Sequence, residues 1–179
     1  MANLIQTNAG TPIVWADTTD YAGSGGTRTA QIDLTSLANG AARQGAKVDL
    51  GDPRPRQYAF TARYEMDVAV ADNKFVYLYW APSLSVTAGT ANPAAISGSD
   101  AAYTGTAGST LVESLDQLML IGVMKLTNDA DTIIQQETWM FSPPTQYGSP
   151  AVYNASGQAM EGDAVEMSIT ATPQDDEAQ

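Results

Sequence analysis

The chain is 179 residues long, carries a formal net charge of −12 and contains neither cysteine nor histidine. That length suits one domain with extended arms. The two absences remove disulfide frameworks, thiolate and structural zinc sites, thiol nucleophiles and every histidine-dependent triad, leaving carboxylate-only chemistry, Ser-Lys arrangements and oxygen-ligated calcium or magnesium.

Residues 1–27 are rich in Asn, Thr, Gly and Ala and close on Gly23-Ser24-Gly25-Gly26. They read as an extended N-terminal arm with one apolar anchor, Ile13-Val14-Trp15. Residues 28–34 suggest a first strand, and 35–39 a single helical turn before Gly40. Asp52-Pro53-Arg54-Pro55-Arg56 has two prolines without ladder donors, so it reads as an exposed, extended connection. Tyr58 to Val70 alternates apolar and polar residues and predicts a strand with one buried face. A tight turn at 71–73 then leads into a partner strand, Lys74 to Ala81, whose core Phe75-Val76-Tyr77-Leu78-Tyr79-Trp80 is apolar on both faces. Central burial is the favoured explanation; an aromatic stripe turned to a partner is the other.

Residues 82–110 are almost all small and uncharged, a long loop suited either to close packing or to flexibility. Thr110 to Gln117 predicts a short helix with Glu113 in its first turn. Leu118 to Thr127 and Thr132 to Phe141 read as two strands joined by a turn at Asn128-Asp129-Ala130-Asp131, the second stopped by Pro143 and Pro144. Val152-Tyr153 suggests a short edge strand before a turn at 154–157, and 165–172 a last alternating strand ahead of an acidic tail, 174–179. Seven or eight strands with almost no helix favour an all-β fold, a β-sandwich of jelly-roll-like or Greek-key type spanning 28–173.

No residue stands out as catalytic, metal-ligating or cofactor-binding. Asp129-Ala130-Asp131 opens like a calcium loop, but Ile133-Ile134 follow where further oxygen ligands belong. Glu65, Asp67 and Glu137 offer the paired carboxylates of a glycosidase, and Arg63 beside Glu65 favours ordinary surface pairing instead. Charge is more informative. Arg28, Arg43, Lys47, Arg54, Arg56 and Arg63 face only Asp33, Asp49 and Asp52 in the same stretch, so this region is near +3 and the remainder near −15. Such polarity suits docking on an acidic protein or on another copy, and the net negative charge disfavours nucleic acid and anionic membrane. No apolar run reaches the roughly 20 residues needed to span a bilayer, and no secretion signal is expected from Met-Ala-Asn-Leu-Ile-Gln. The interface candidates are Trp15, Tyr21, Arg28, Arg43, Lys47, Arg54, Arg56 and Tyr103.

Four stretches taken together resemble structural proteins of tailed bacteriophages. They are Ala41-Ala42-Arg43-Gln44-Gly45-Ala46-Lys47-Val48-Asp49-Leu50-Gly51, Tyr77-Leu78-Tyr79-Trp80-Ala81-Pro82-Ser83, Gly98-Ser99-Asp100-Ala101-Ala102-Tyr103, and Leu115-Asp116-Gln117-Leu118 running into Ile121-Gly122. The resemblance covers residues 40–155 and is not a signature motif. It implies a non-enzymatic virion protein assembled in the host cytoplasm, most like a small β-sandwich capsid decoration (cement) protein. Its partners would be the major capsid protein, other virion proteins and further copies of itself. A neck or tail component is the nearest alternative, and a carbohydrate-binding module using Trp15 or Tyr21 is the alternative from another class.

Overall fold

The computed structural model describes residues 5–128 and 133–178. Strands make up 41% of the chain and helix 3%, in two multi-stranded sheets, so the molecule is an all-β sandwich. The strands are β1 (Ile5–Ala9), β2 (Ile13–Ala16), β3 (Ala30–Gln31), β4 (Ala42–Gln44), β5 (Val48–Asp49), β6 (Gln57–Tyr64), β7 (Lys74–Ser83), β8 (Ala101–Tyr103), β9 (Met119–Leu126), β10 (Gln135–Phe141), β11 (Tyr147–Ala155) and β12 (Ser168–Ala178), with one helix, α1 (Leu111–Leu115).

The first sheet runs β10-β6-β12-β2-β3 and the second β8-β4-β11-β7-β9. The pairing follows one rule. β2 pairs with β12, β4 with β11, β6 with β10 and β7 with β9, all antiparallel. Outermost meets outermost and innermost meets innermost, as in one long hairpin whose tip lies between β7 and β9. Rolling that hairpin up adds the contacts β6–β12 and β7–β11 and yields the eight-stranded jelly roll. β3 and β8 extend the two margins.

The topology corrects the two expected hairpins. β6 and β7 lie in different sheets, and so do β9 and β10. Alternation beyond Tyr64 belongs to a crossing loop, in which Met66 bridges Met160 and Val70 is buried, while Val68 stays exposed. The turn expected at Asp129 to Asp131, and Thr132 after it, lie outside the described residues. Residues 35–39 form turns instead of a helical turn.

The arm and the acidic tail are corrected too. β1 pairs with Gln174–Ala178 of β12, and β2 with Ile169–Ala171. The stretch from Ile5 to Ala16 is therefore one strand, broken at Gly10, alongside one continuous last strand. Two segments that read as loose ends satisfy each other's backbone groups. Glycine in the supposed hinge serves close approach instead. A Cβ on Gly25 would land on the Ser168 hydroxyl, and the Gly25 N–H donates to the Tyr21 hydroxyl at 2.6 Å.

Trp15, Tyr58, Phe60, Tyr64, Leu78, Trp80, Met124, Leu126 and Ile169 fill the space between the sheets. Phe60 packs edge-on against Trp80 at 5.6 Å and against Phe141 at 5.8 Å. A second, smaller core lies outside the second sheet, where Ile96, Tyr103, Leu115 and Leu118 cover Ala42, Ala81 and Ala151. The long loop is thus packed down as a lid on half of that face. α1 lies within this cover and starts as its sequence foretells. Thr110 caps it and Glu113 closes a capping box, its carboxylate accepting from the Thr110 N–H at 2.7 Å.

Two glycines in this packing have no room for a side chain. A Cβ on Gly148 would strike the Trp80 indole, and one on Gly122 the Trp139 indole. Gly148→Ala and Gly122→Ala are each expected to cost about 1–3 kcal/mol through overpacking. Gly89→Ala, where nothing lies within 4 Å, is expected to be near neutral. Urea unfolding midpoints of the three variants check this ordering.

Candidate functional site

Among the described residues no group of three or more Asp or Glu side chains is placed to hold a metal ion. Arg63 Nη1 donates to Gln136 Oε1 across to β10 at 3.3 Å.

The interface candidates do not gather into one patch. Trp15 is fully buried, and its Nε1 donates to the Ala46 carbonyl at 2.8 Å, so it is a core residue and is not open to a partner. Tyr103 is buried as well and donates to the Ala94 carbonyl at 2.7 Å. Tyr21 is half-buried and organises its own loop through Gly25. Arg54 donates to the Pro143 carbonyl at 3.0 Å. Only Arg28 and Arg56 are fully exposed.

Arg43 and Lys47 are internal ties. Arg43 grips Asp100 with two hydrogen bonds, Nε to Oδ1 and Nη2 to Oδ2, both 2.7 Å, and its Nη2 lies 3.8 Å from Asp33. The Asp33 N–H also donates to Asp100, at 3.2 Å. This network joins the β3 margin of the first sheet to the β8 margin of the second. The hydrogen bond to Asp100 is the main cause that raises the Arg43 pKa further above its ordinary value. On the same side burial pushes the Asp17 carboxyl up, but donations from Thr19, Asp20, Gln31 and Thr18 outweigh it and hold the pKa below its ordinary value.

The Lys47 ammonium is ringed by four oxygens: Ser83 Oγ at 2.9 Å and the carbonyls of Ser85, Thr87 and Thr90 at 3.1, 2.8 and 2.9 Å. Burial pulls its pKa below the ordinary value even so. The ring fixes the start of the long loop from beneath. It leaves Leu84 at 82% and Val86 at 69% exposure on a rigid tip.

The surface with the chemistry of a binding site lies on the outer face of the second sheet, beside the lid. β7 is central, between β11 and β9, and Val76, Leu78 and Trp80 point into the core. Period two then turns Phe75, Tyr77 and Tyr79 outward, half-buried. Tyr77 and Tyr79 stack at 6.3 Å with 18° between planes, Phe75 lies 6.4 Å from Tyr77, and Tyr153 of β11 lies 6.0 Å from Tyr77 on the other side. β9 continues the surface: Leu120 stands opposite Tyr79, Val123 opposite Tyr77 and Lys125 opposite Phe75. Burial, then the Asp116 carboxylate and the neighbouring phenols, push the Tyr79 hydroxyl above its ordinary pKa, so it stays protonated at neutral pH. The run 75–80 is therefore both core and stripe, one on each face, where burial alone was the favoured expectation. Such a surface offers broad, preorganised aromatic area with phenolic hydrogen bonds at its rim, and no nucleophile or general base.

Lys47→Met is expected to cost about 1–3 kcal/mol, because it leaves part-buried oxygens without their donor. Limited proteolysis should then open the chain within 84–99, at sites resistant in the parent. The lowered Asp17 pKa gives a second expectation. A carboxyl held low contributes stability that is full above its unfolded value near ~3.9 and drains away as pH falls through the folded value. Asp17→Asn should therefore flatten the loss of stability below that pH, as read by urea midpoints across an acid series. No protein-family model matches the chain and no curated protein does, so what the molecule does has to be read from its own surface.

Proposed function

We propose that this chain is a non-enzymatic adhesive module of a tailed-phage particle, a decoration protein that clamps neighbouring shell subunits. The observation that carries the reading is the half-buried aromatic row Phe75, Tyr77, Tyr79 and Tyr153 on the outer face of the second sheet, with Tyr79 and Tyr153 packed against the border of the lid. Large, stiff aromatic side chains at the centre of a contact supply most of the binding free energy of protein interfaces, while surrounding residues mainly exclude water. The rigid tip at Leu84 and Val86 adds apolar contact area without a new ordering cost, because the Lys47 ring already fixes its backbone. Phage origin is supported by the stretches within 40–155 named above, and by a jelly-roll architecture used in capsid proteins.

The electrostatic part of the adhesion narrows. Arg43, Lys47 and Arg54 spend their hydrogen-bonding capacity inside the chain, so Arg28 and Arg56 are left to meet an acidic shell. Attachment driven by aromatic burial with two exposed arginines should survive moderate salt and weaken only modestly.

A second reading, a glycan-binding module, is favoured by the parallel planes of Tyr77 and Tyr79, which suit stacking on successive sugar rings. Tyr77→Ala combined with Tyr79→Ala separates the two. Loss of about 2 kcal/mol or more, some 30-fold in affinity, is expected for attachment to particles stripped of this protein. Glycan-array binding of the parent that the double variant abolishes would instead select the sugar reading. Quantitative stoichiometry of purified virions places the protein: hundreds of copies mark a shell decoration, a dozen or fewer a neck or tail part, and none overturns the virion reading.

A further inference from the structure

A β-sandwich exposes four edge strands, and each is a template for another chain unless something blocks it. Besides β1, which borders the end of β12, the edges of the two strand orders are β3, β8, β9 and β10, and three of these four are managed. β3 is two residues long and β8 three. β9 is longer, but its ladder with β7 slips at Leu78/Tyr79 and it carries an exposed lysine, Lys125. β10 is neither short nor slipped, and its one charge is Glu137. It pairs with β6 through seven consecutive residues without a register shift and contains no proline, glycine or lysine. Among the described residues β6 is its only strand partner. Its first residue is pinned: Gln135 Oε1 accepts from the Thr127 N–H at 2.8 Å, and its Nε2 donates to the Thr127 carbonyl at 3.2 Å. Beyond that clamp, among the described residues, no strand pairs with the outer rim from Gln136 to Phe141.

We propose that a second copy of the chain pairs with this rim, β10 against β10, antiparallel about a two-fold axis, so that the two first sheets become one continuous sheet. The strand fits its own copy. The register that matches all seven residues is centred on Thr138, which meets itself across the axis. Gln136 then stands opposite Met140, Gln135 opposite Phe141 and Glu137 opposite Trp139. The only charge in the strand never faces its own copy, and directly opposed like charges would have been destabilising. Met140, 53% exposed in the single chain, gains a neighbour on the partner. A two-fold contact of this kind is closed and self-complementary, so it ends at a dimer and does not run on into fibres. A strand with one charge in seven residues gives an acidic or basic foreign segment little to recognise, which favours the second copy as occupant. The contact uses an edge of the first sheet and leaves the aromatic row on the second sheet free, so it does not depend on the adhesion reading.

Sedimentation velocity on the full chain over a concentration series tests the pairing. The parent is expected to dimerise, with little change between low and high salt. Thr138 is exposed, so T138K and T138E alter the edge at little cost to the fold, which urea unfolding verifies. Each variant alone brings like charges together across the axis and should weaken the dimer at least tenfold. Mixing the two in equal amounts should restore it, because lysine then faces glutamate. Tyr77→Ala combined with Tyr79→Ala should leave the dimer intact, which separates this contact from the adhesive one. A parent that stays monomeric at every concentration overturns the proposal. So does a dimer that T138K and T138E leave unchanged, or one that the mixture fails to restore.

Discussion

Two sheets of a sandwich must be held at one spacing, and in this molecule the indole of Trp15 sets it. From β2 in the first sheet it stacks on Phe60 of the same sheet at 6.4 Å and meets the edge of Trp80, in the second sheet, at 6.1 Å. Its N–H reaches the carbonyl of Ala46, between β4 and β5 in the second sheet. Gly45 is bare of a side chain where Trp15 and Pro150 come close, a Cβ there lying 3.1 Å from the indole. One residue thus takes part in both faces of the core and in a polar tie between them. The carbonyl gives the indole N–H a partner inside the protein, which removes the penalty of burying it.

Much of the fold was legible in local pattern. Alternation from Tyr58 to Tyr64 marks β6, the Thr110 to Glu113 spacing marks the capped start of α1, and Pro143-Pro144 marks the stop of β10. The all-β sandwich class was legible from strand count and the near absence of helix, with jelly-roll-like and Greek-key types both left open. The sheet that each strand joins was not. A strand pattern records which face is buried, and it is silent about which partner supplies the hydrogen bonds. Hence β6 and β7 looked like a hairpin although they lie in opposite sheets. The same silence hid the first residues: Asn, Thr and Gly describe an arm equally well whether it floats or pairs, and pairing here depends on residues more than 160 positions away.

The candidate surface was half legible. An apolar run on both faces at 75–80 allowed a buried strand or an aromatic stripe, and the structure makes it both. What decides is the lid, which covers Ala81 and Ala151 and stops short of Tyr77. The basic residues misled for a different reason. Lys47 finds the Ser83 hydroxyl 36 positions downstream and three more oxygens 38 to 43 positions downstream, the latter backbone carbonyls that leave no trace in side-chain sequence. A charge count cannot tell a lysine that greets solvent from one that organises a loop.

Pairing first with last has a consequence for how the chain comes to exist. Every strand of the first sheet other than the β6–β10 pair and β3 depends on β12, the last to be made. Contacts of such large sequence separation are slow to form, because loop closure must precede any gain from the strands it joins. During synthesis β2 meets the short β3 early but waits for more than 150 residues before its antiparallel neighbour β12 appears. A product interrupted before β12 therefore carries open sheet edges along β2 and β6, a feature that promotes aggregation. Closure of the first sheet therefore waits until β12 has been made, after the strands of the second sheet are in place to pair.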